Sequence, residues 1–288
     1  MKISESANQH IAAFEAALKL NGNGCSDQPL FAGVDLGTAY IVTAVVDSEG
    51  MPVAGVLTRS QSSIRDGLIL DYVGAITLLR KQVELLHGAG FPIKVASAAF
   101  PPGTIGRNNH AFANVLQSVG LEVSGLIDEP SAASLVLEIA EGAVVDIGGG
   151  TTGISVIKNG QVVYTADEPT GGIHLDLVLA GHYRIDTQEA ESIKTDFTRQ
   201  PEIFPLVRPV FQKMASIVRR HLQEHPVKTL YLVGGTSSFP GIEDVMENET
   251  GLDVVKPYNP LLVTPLGIAL SCVKENLRKQ PAMGQERL

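Results

Sequence analysis

Apolar residues recur along the chain with two periods. At helical spacing, Ile11, Phe14 and Leu18 mark a helix within 8–20, and Tyr72, Ile76, Leu79 and Val83 one within 71–86. Further helices are predicted at 108–119, 130–139, 171–180, 187–194, 241–249 and 265–277. Residues 203–224 carry the longest amphipathic stripe, with a break or a start expected near Pro209, because proline removes a helical donor. Short runs rich in Val, Ile and Ala predict strands at 31–35, 40–46, 53–58, 94–99, 122–127, 153–157, 161–165, 229–233 and 253–255. Val144, Val145 and Ile147 end one more. The order is βββαβαβα, and it returns in the second half once inserted helices are allowed for.

One stretch organises this pattern. Gly148, Gly149 and Gly150 follow the strand of Val144–Ile147, and Ile154, Val156 and Ile157 resume a strand up to the Asn159-Gly160 turn signal. Glycines in a row let the backbone approach a ligand closely and point amides at it, as phosphate oxygens require. A Walker loop or a dinucleotide loop would lead into a helix, and this loop leads into a strand. A glycine-rich hairpin without a ligand is the plain alternative. Against it stands a second copy: Asp35-Leu36-Gly37 mirrors Asp146-Ile147-Gly148, each followed by apolar strand and a turn, Ser48-Glu49-Gly50 in one case and Lys158-Asn159-Gly160 in the other. Two related lobes are expected, with the paired loops clamping phosphates across a cleft.

Composition narrows the class. The 288 residues are 44% hydrophobic, enough for one large domain or two lobes. No run of 18 apolar residues and no secretory leader is present, so a cytoplasmic protein without a membrane span is expected. Cys25 and Cys272, far apart, fit neither a disulfide framework nor a zinc site. A net charge of −9 argues against nucleic acid, and Arg80-Lys81 and Arg219-Arg220 read as solvated helix faces.

Five segments resemble the motifs of the actin-like ATPase superfamily, which holds actin, sugar kinases, DnaK-type chaperones and the MreB and FtsA filament proteins. Residues 34–40 resemble its first phosphate loop and 145–151 its second. Residues 127–134, IDEPSAAS, and 264–270, TPLGIAL, resemble the two connecting helices, and 232–240, LVGGTSSFP, the adenosine motif. RDGLILD at 65–71 and EAESIK at 189–194 resemble MreB elements. With FPPG at 100–103 and ADEPTGG at 166–172, the pattern is similar to the small ethanolamine-utilisation family EutJ, chaperone-like accessories of a microcompartment pathway.

The resemblance implies an α/β fold of two duplicated, ribonuclease H-like lobes with small outer subdomains. The expected layout is an N-terminal amphipathic helix and linker at 1–28, a first lobe at 29–143 and a second at 144–263. A connecting helix at 264–279 returns to the first lobe, and 280–288 is a tail. The resemblance also implies ATP with Mg²⁺ as cofactors. Gly37, Thr38, Gly148, Gly149, Gly150 and Thr151 would hold phosphates, with Gly171 and Gly172 beside them. Asp35 and Asp146 would hold the metal through water. Glu129 would orient the attacking water, Glu191 and Lys194 would contact the ribose, and Gly234, Gly235 and Thr236 would pack on the adenosine.

The chain departs from the chaperone pattern at Gly153, Thr195, Ser238 and Leu261, where the family has an acid, two arginines and an Asp. Binding is therefore better supported than turnover. The favoured reading is an ATP-dependent accessory acting on a protein partner, either ethanolamine ammonia-lyase or the microcompartment shell. A filament or scaffold protein of the MreB/FtsA type is one alternative, and a homo-oligomer stays open. A small-molecule kinase is another; His174 and Asp176 are its only candidate residues, and both are expected on a helix surface. The N-terminal helix has two competing destinations: a groove on a partner, such as shell or cargo enzyme, or its own lobe.

Overall fold

The computed structural model describes residues 3–20, 28–60, 64–65, 68–69, 71–101 and 107–279. The 21–27 tether with Cys25, residues 66, 67 and 70 of the RDGLILD motif, Pro102-Gly103 and the 280–288 tail lie outside the described residues.

After helix α1 (Glu5–Ala17), the first half runs β1 (Phe31–Leu36), β2 (Tyr40–Val46), β3 (Pro52–Arg59), a two-residue pair β4 (Ile64–Arg65) and β5 (Leu68–Ile69), α2 (Tyr72–Gly88), β6 (Val95–Phe100), α3 (Arg107–Ser118), β7 (Glu122–Asp128) and α4 (Glu129–Leu137). The second half runs β8 (Gly142–Ile147), β9 (Thr152–Lys158), β10 (Gln161–Glu168), α5 (Ile173–Tyr183), α6 (Thr187–Thr195), α7 (Gln200–Leu222), β11 (Thr229–Val233), α8 (Ile242–Thr250), β12 (Asp253–Val255) and α9 (Val263–Lys279). Two short 3₁₀ turns, Gly235–Ser238 and Pro260–Leu262, lie among them.

The duplication is a duplication of sheets. One five-stranded sheet has the order β3-β2-β1-β6-β7 and the other β10-β9-β8-β11-β12. In each, the first strand pairs antiparallel with the second and parallel with the next across a helical crossover. The hairpin turn at Asn159-Gly160 has both residues at positive φ, 53° and 69°, as the type I′ signal requires.

Each sheet buries both faces. The outer face of the first takes Leu79, Val83 and Leu86 of α2 and Phe112, Val115 and Leu116 of α3. The outer face of the second takes α5, α7 and α8. Between the sheets lie α4 and α9, whose Val136, Leu137, Val263 and Leu266 join Phe31 and Val42 of one sheet to Val144 and Val233 of the other. That crossing needs glycine: a Cβ on Gly267 of α9 would run into the backbone of Ala132 on α4.

One expectation changes, and one open question is answered. Helix α7 is neither broken nor started at Pro209; both Pro205 and Pro209 lie inside it. Each proline costs helix stability on the order of 3 kcal/mol, but Ile203, Val207, Phe211 and Met214 are fully buried and hold the segment against the sheet. Of the two destinations open to α1, its own lobe is the one observed. Ile11 and Phe14 are fully buried in the core between the sheets, with Phe14 and Leu18 crowding Gly55 of β3. Its polar side ties both lobes: His10 Nε2 lies 2.9 Å from the Gly50 carbonyl, Asn8 Oδ1 accepts from the Tyr258 amide at 2.9 Å, and Glu15 accepts from Asn259 Nδ2 at 2.9 Å.

Docking of this kind predicts a large effect from one truncation. Phe14→Ala removes a fully buried aromatic and should cost about 3–5 kcal/mol, which a thermal melt would record as a fall in Tm of roughly 6 °C or more. A Tm within about 1 °C of the parent would put the helix off the lobe.

Candidate functional site

Period-two alternation brings the aspartates together. Phe31, Gly33 and Asp35 of β1 face the other lobe, as do Gly142, Val144 and Asp146 of β8, so both carboxylates arrive at strand ends on the inner face. The turns after them close alike: the Gly37 amide donates to the Tyr40 carbonyl at 3.0 Å, and the Gly148 amide to the Thr151 carbonyl at 3.0 Å. The third carboxylate is Glu129, the first residue of α4. The Asp128 side chain caps that helix by accepting from the Ser131 amide at 2.9 Å, which fixes the entry of the chain and aims Glu129 into the space between the turns.

That space is a cavity of about 350 Å³ lined by Asp35, Glu129 and Asp146. The two hairpin turns border it with Gly37, Thr38, Gly148, Gly149, Gly150 and Thr151. Gly234, Gly235 and Thr236 close a third side, and Glu191 and Lys194 a fourth. The turns face one another closely, since a Cβ on Gly149 would lie 3.0 Å from that of Ala39 and one on Gly150 3.1 Å from Thr38 Oγ1.

The second turn is strapped from behind. The Gly148 carbonyl accepts from the Gly172 amide at 2.9 Å and from Thr236 Oγ1 at 2.8 Å, and the Gly149 carbonyl from the Ile173 amide at 2.8 Å. In a planar trans peptide the amide points opposite to its carbonyl, so the Gly149 and Gly150 N–H groups are turned away from α5. Gly171 and Gly172 thus act from beneath the loop, where a Cβ on Gly171 would lie 2.7 Å from the Gly149 carbonyl oxygen. Gly234 has φ of 87°, and a Cβ there would strike the Asp146 carboxylate.

Burial and mutual repulsion dominate the electrostatics. Burial, then the charge of Asp146, pushes Asp35 up to about 7. Burial raises Asp146 to about 6, opposed by the 2.9 Å hydrogen bond from Thr264 Oγ1 on α9. Glu129 is held well above the usual carboxylate range by burial and the charges of Asp146 and Asp35. Lys194, the basic residue lining the cavity, is occupied by Asp176 at 2.8 Å and reaches the Gly172 carbonyl at 3.3 Å. Among the described residues, then, the acids have no free basic partner in the cavity, and a cation from outside the protein would relieve their repulsion. Among the described residues no three His, Cys, Asp or Glu could hold a metal unaided. A divalent ion between Asp35 and Asp146 would need water or phosphate oxygens in its shell, which is how Mg²⁺ is ordinarily held.

Against these placements stand one correction and several residues that the sequence reading missed. Asp176 is not on the helix surface but buried, paired with Lys194 because α6 folds back on α5. His174 is half-buried, with Nδ1 3.2 Å from the Gly171 amide. Glu191 lines the cavity and also pairs with Arg59 of β3, across the cleft from the other lobe. Thr264, Phe197 and Gln200 line the cavity too. Thr264 sits in a motif read from the sequence, but a hydroxyl that tethers a carboxylate from another helix leaves no periodic signal.

Comparison with known proteins agrees with this architecture. A family model of MreB/Mbl proteins matches residues 58–202, and one of the type IV pilus assembly protein PilM matches 137–268. Over 258 residues the chain is 45% identical to the ethanolamine utilization protein EutJ of Salmonella typhimurium, covering 89% of this chain and 90% of that protein. The chain belongs to the EutJ family. The crystal structure of EutJ from Carboxydothermus hydrogenoformans is 46% identical with a TM-score of 0.85, covering 92% of this chain and 97% of that one. MreB5 of Spiroplasma citri bound to AMPPNP has a TM-score of 0.71 over 88% of this chain and 99% of its own, and at 19% identity it shares the fold. The EutJ-family chain thus has the actin-like ATPase fold. No helix among its described residues is long and apolar enough to cross a membrane.

The raised acids fix a pH dependence. A carboxyl whose folded pKa exceeds its unfolded value favours folding at low pH, and stability falls as pH rises between the two values. For Asp35 that window runs from 3.8 to about 7. The gain in Tm of Asp35→Asn over the parent should be small at about pH 4, at the foot of that window, and grow to roughly 10 °C by about pH 8 without ligand. A difference that does not change with pH would contradict the electrostatic account.

Proposed function

We propose that this chain is an ATP-binding, chaperone-like accessory of ethanolamine utilisation, a slow Mg²⁺-dependent ATPase that acts on a protein partner. The observation that carries the reading is the pair of turns at equivalent positions of duplicated sheets, facing one another across a cavity lined by three acids. Family membership supplies the pathway, and the AMPPNP-bound MreB5 of the same fold supports a nucleotide in the cleft.

The residues take these roles. The amides and hydroxyls of Gly37, Thr38 and Gly148–Thr151 receive phosphate oxygens, and Asp35 and Asp146 hold Mg²⁺ through its water shell. Bound Mg²⁺ would neutralise charge on the phosphates. Glu129 accepts a hydrogen bond from the attacking water and orients it. Thr264 keeps the Asp146 carboxylate in its rotamer. Gly234, Gly235 and Thr236 form the wall for the nucleoside, and Glu191 and Lys194 border the ribose end. The partner under this reading is ethanolamine ammonia-lyase or the microcompartment shell. The match to MreB/Mbl proteins favours a second reading, a scaffold that assembles head to tail.

Millimolar Mg-ATP should raise Tm by mass action. No shift with Mg-ATP, Mg-ADP or Mg-GTP would reject the site. Glu129→Ala should keep that shift and slow phosphate release roughly a hundredfold, and an unchanged rate would remove Glu129 from the role.

A further inference from the structure

The two sheets can be compared row by row. In the first, Asp35 of β1 pairs with Val42 of β2 and Val42 with Leu57 of β3, so the aspartate is followed by two apolar side chains on the inner face. In the second, Asp146 of β8 pairs with Gly153 of β9 and Gly153 with Asp167 of β10. Directly opposed residues in antiparallel strands point to the same face. Asp167 therefore lies on the inner face, in line with Asp146, and between them is a residue with no side chain.

A bulge turns it there. Val162 pairs with Ile157 on the inner face, and strict alternation from Val162 would send Asp167 to the outer face. The register shifts between Val162 and Tyr164, leaving Val163 as the extra residue, so that Thr165 and Asp167 face inward. Helix α4, which starts with Glu129, packs against β9 and β10, and the charge of Asp167 is felt at both Asp146 and Glu129. Asp167 is half-buried and does not itself line the cavity.

We propose that Asp167 is a positioning residue of the cleft, holding through water, across the strand position that Gly153 occupies, the hydration shell of the divalent cation on Asp146. This rests on the nucleotide reading of the cleft and names the second-lobe acid of that reading. Gly153 is where the resemblance to the chaperones expects an acid, and the bulge supplies one from the neighbouring strand instead.

The test is Mg²⁺ titration of the full chain with AMPPNP, read by thermal shift and by fluorescence of a labelled analogue, with phosphate release from ATP measured in parallel. Asp167→Asn is nearly isosteric and should melt within about 3 °C of the parent. It should raise the Mg²⁺ concentration for half-saturation about tenfold, with metal-free nucleotide affinity unchanged. Asp167→Glu should stay within about threefold of the parent, and Gly153→Asp placed in Asp167→Asn should recover most of the lost Mg²⁺ affinity. Parent-like Mg²⁺ dependence in Asp167→Asn, or no recovery in the double variant, overturns the proposal while leaving the nucleotide site intact. Should the Asp167 variants not fold, Gly153→Asp alone decides: it should tighten Mg²⁺ threefold or more, and no change overturns the role. A parent that binds AMPPNP without regard to Mg²⁺ overturns the reading of the cleft and this proposal together.

Discussion

Asp35, Glu129 and Asp146 are forced into one cavity, and the rest of the structure either creates or endures that repulsion. Two strands deliver aspartates to facing sheet ends, and a capped helix delivers the glutamate between them. Burial strengthens each repulsion by removing water. Among the described residues little is given back: one hydroxyl from Thr264 to Asp146, while Lys194 is spoken for by Asp176. Such an arrangement is costly for folding and useful for a ligand that brings a cation with it.

The costs are met where the lobes meet. Helices α4 and α9 cross closely enough that Gly267 admits no side chain, and the core around them draws apolar residues from both sheets. Helix α1 lies over this junction and reaches Tyr258 and Asn259, next to Pro260, whose carbonyl accepts from the Gly234 amide at 3.0 Å. Asn259 itself lines the cavity. A contiguous set of contacts thus joins the N-terminal helix to the wall of the site.

Much of this was legible in the sequence, for a physical reason. Period-two and period-3.6 patterns follow from one-sided burial, so the strands, the crossovers and the duplication of Asp-Leu-Gly and Asp-Ile-Gly could be read directly. Features that depend on tertiary context could not. Pro205 and Pro209 stay helical because of what packs on the other side of α7, and Asp176 is buried because a lysine eighteen residues on folds back to it. Asp167 was hidden by a bulge, since a single extra residue reverses the face of every position after it. Arg59, Phe197 and Gln200 join the site from a strand end, a loop and a helix start with no motif of their own.

Under the proposed function the two turns act as one clamp. Hydrogen-exchange mass spectrometry with and without Mg-AMPPNP tests it most directly, because the amides in question are the proposed ligands. Exchange should slow together in the segments holding Gly37–Tyr40 and Gly148–Thr151, with slower exchange also around Gly234–Thr236. Slowing confined to one turn, or absent from both while nucleotide is bound, would contradict it.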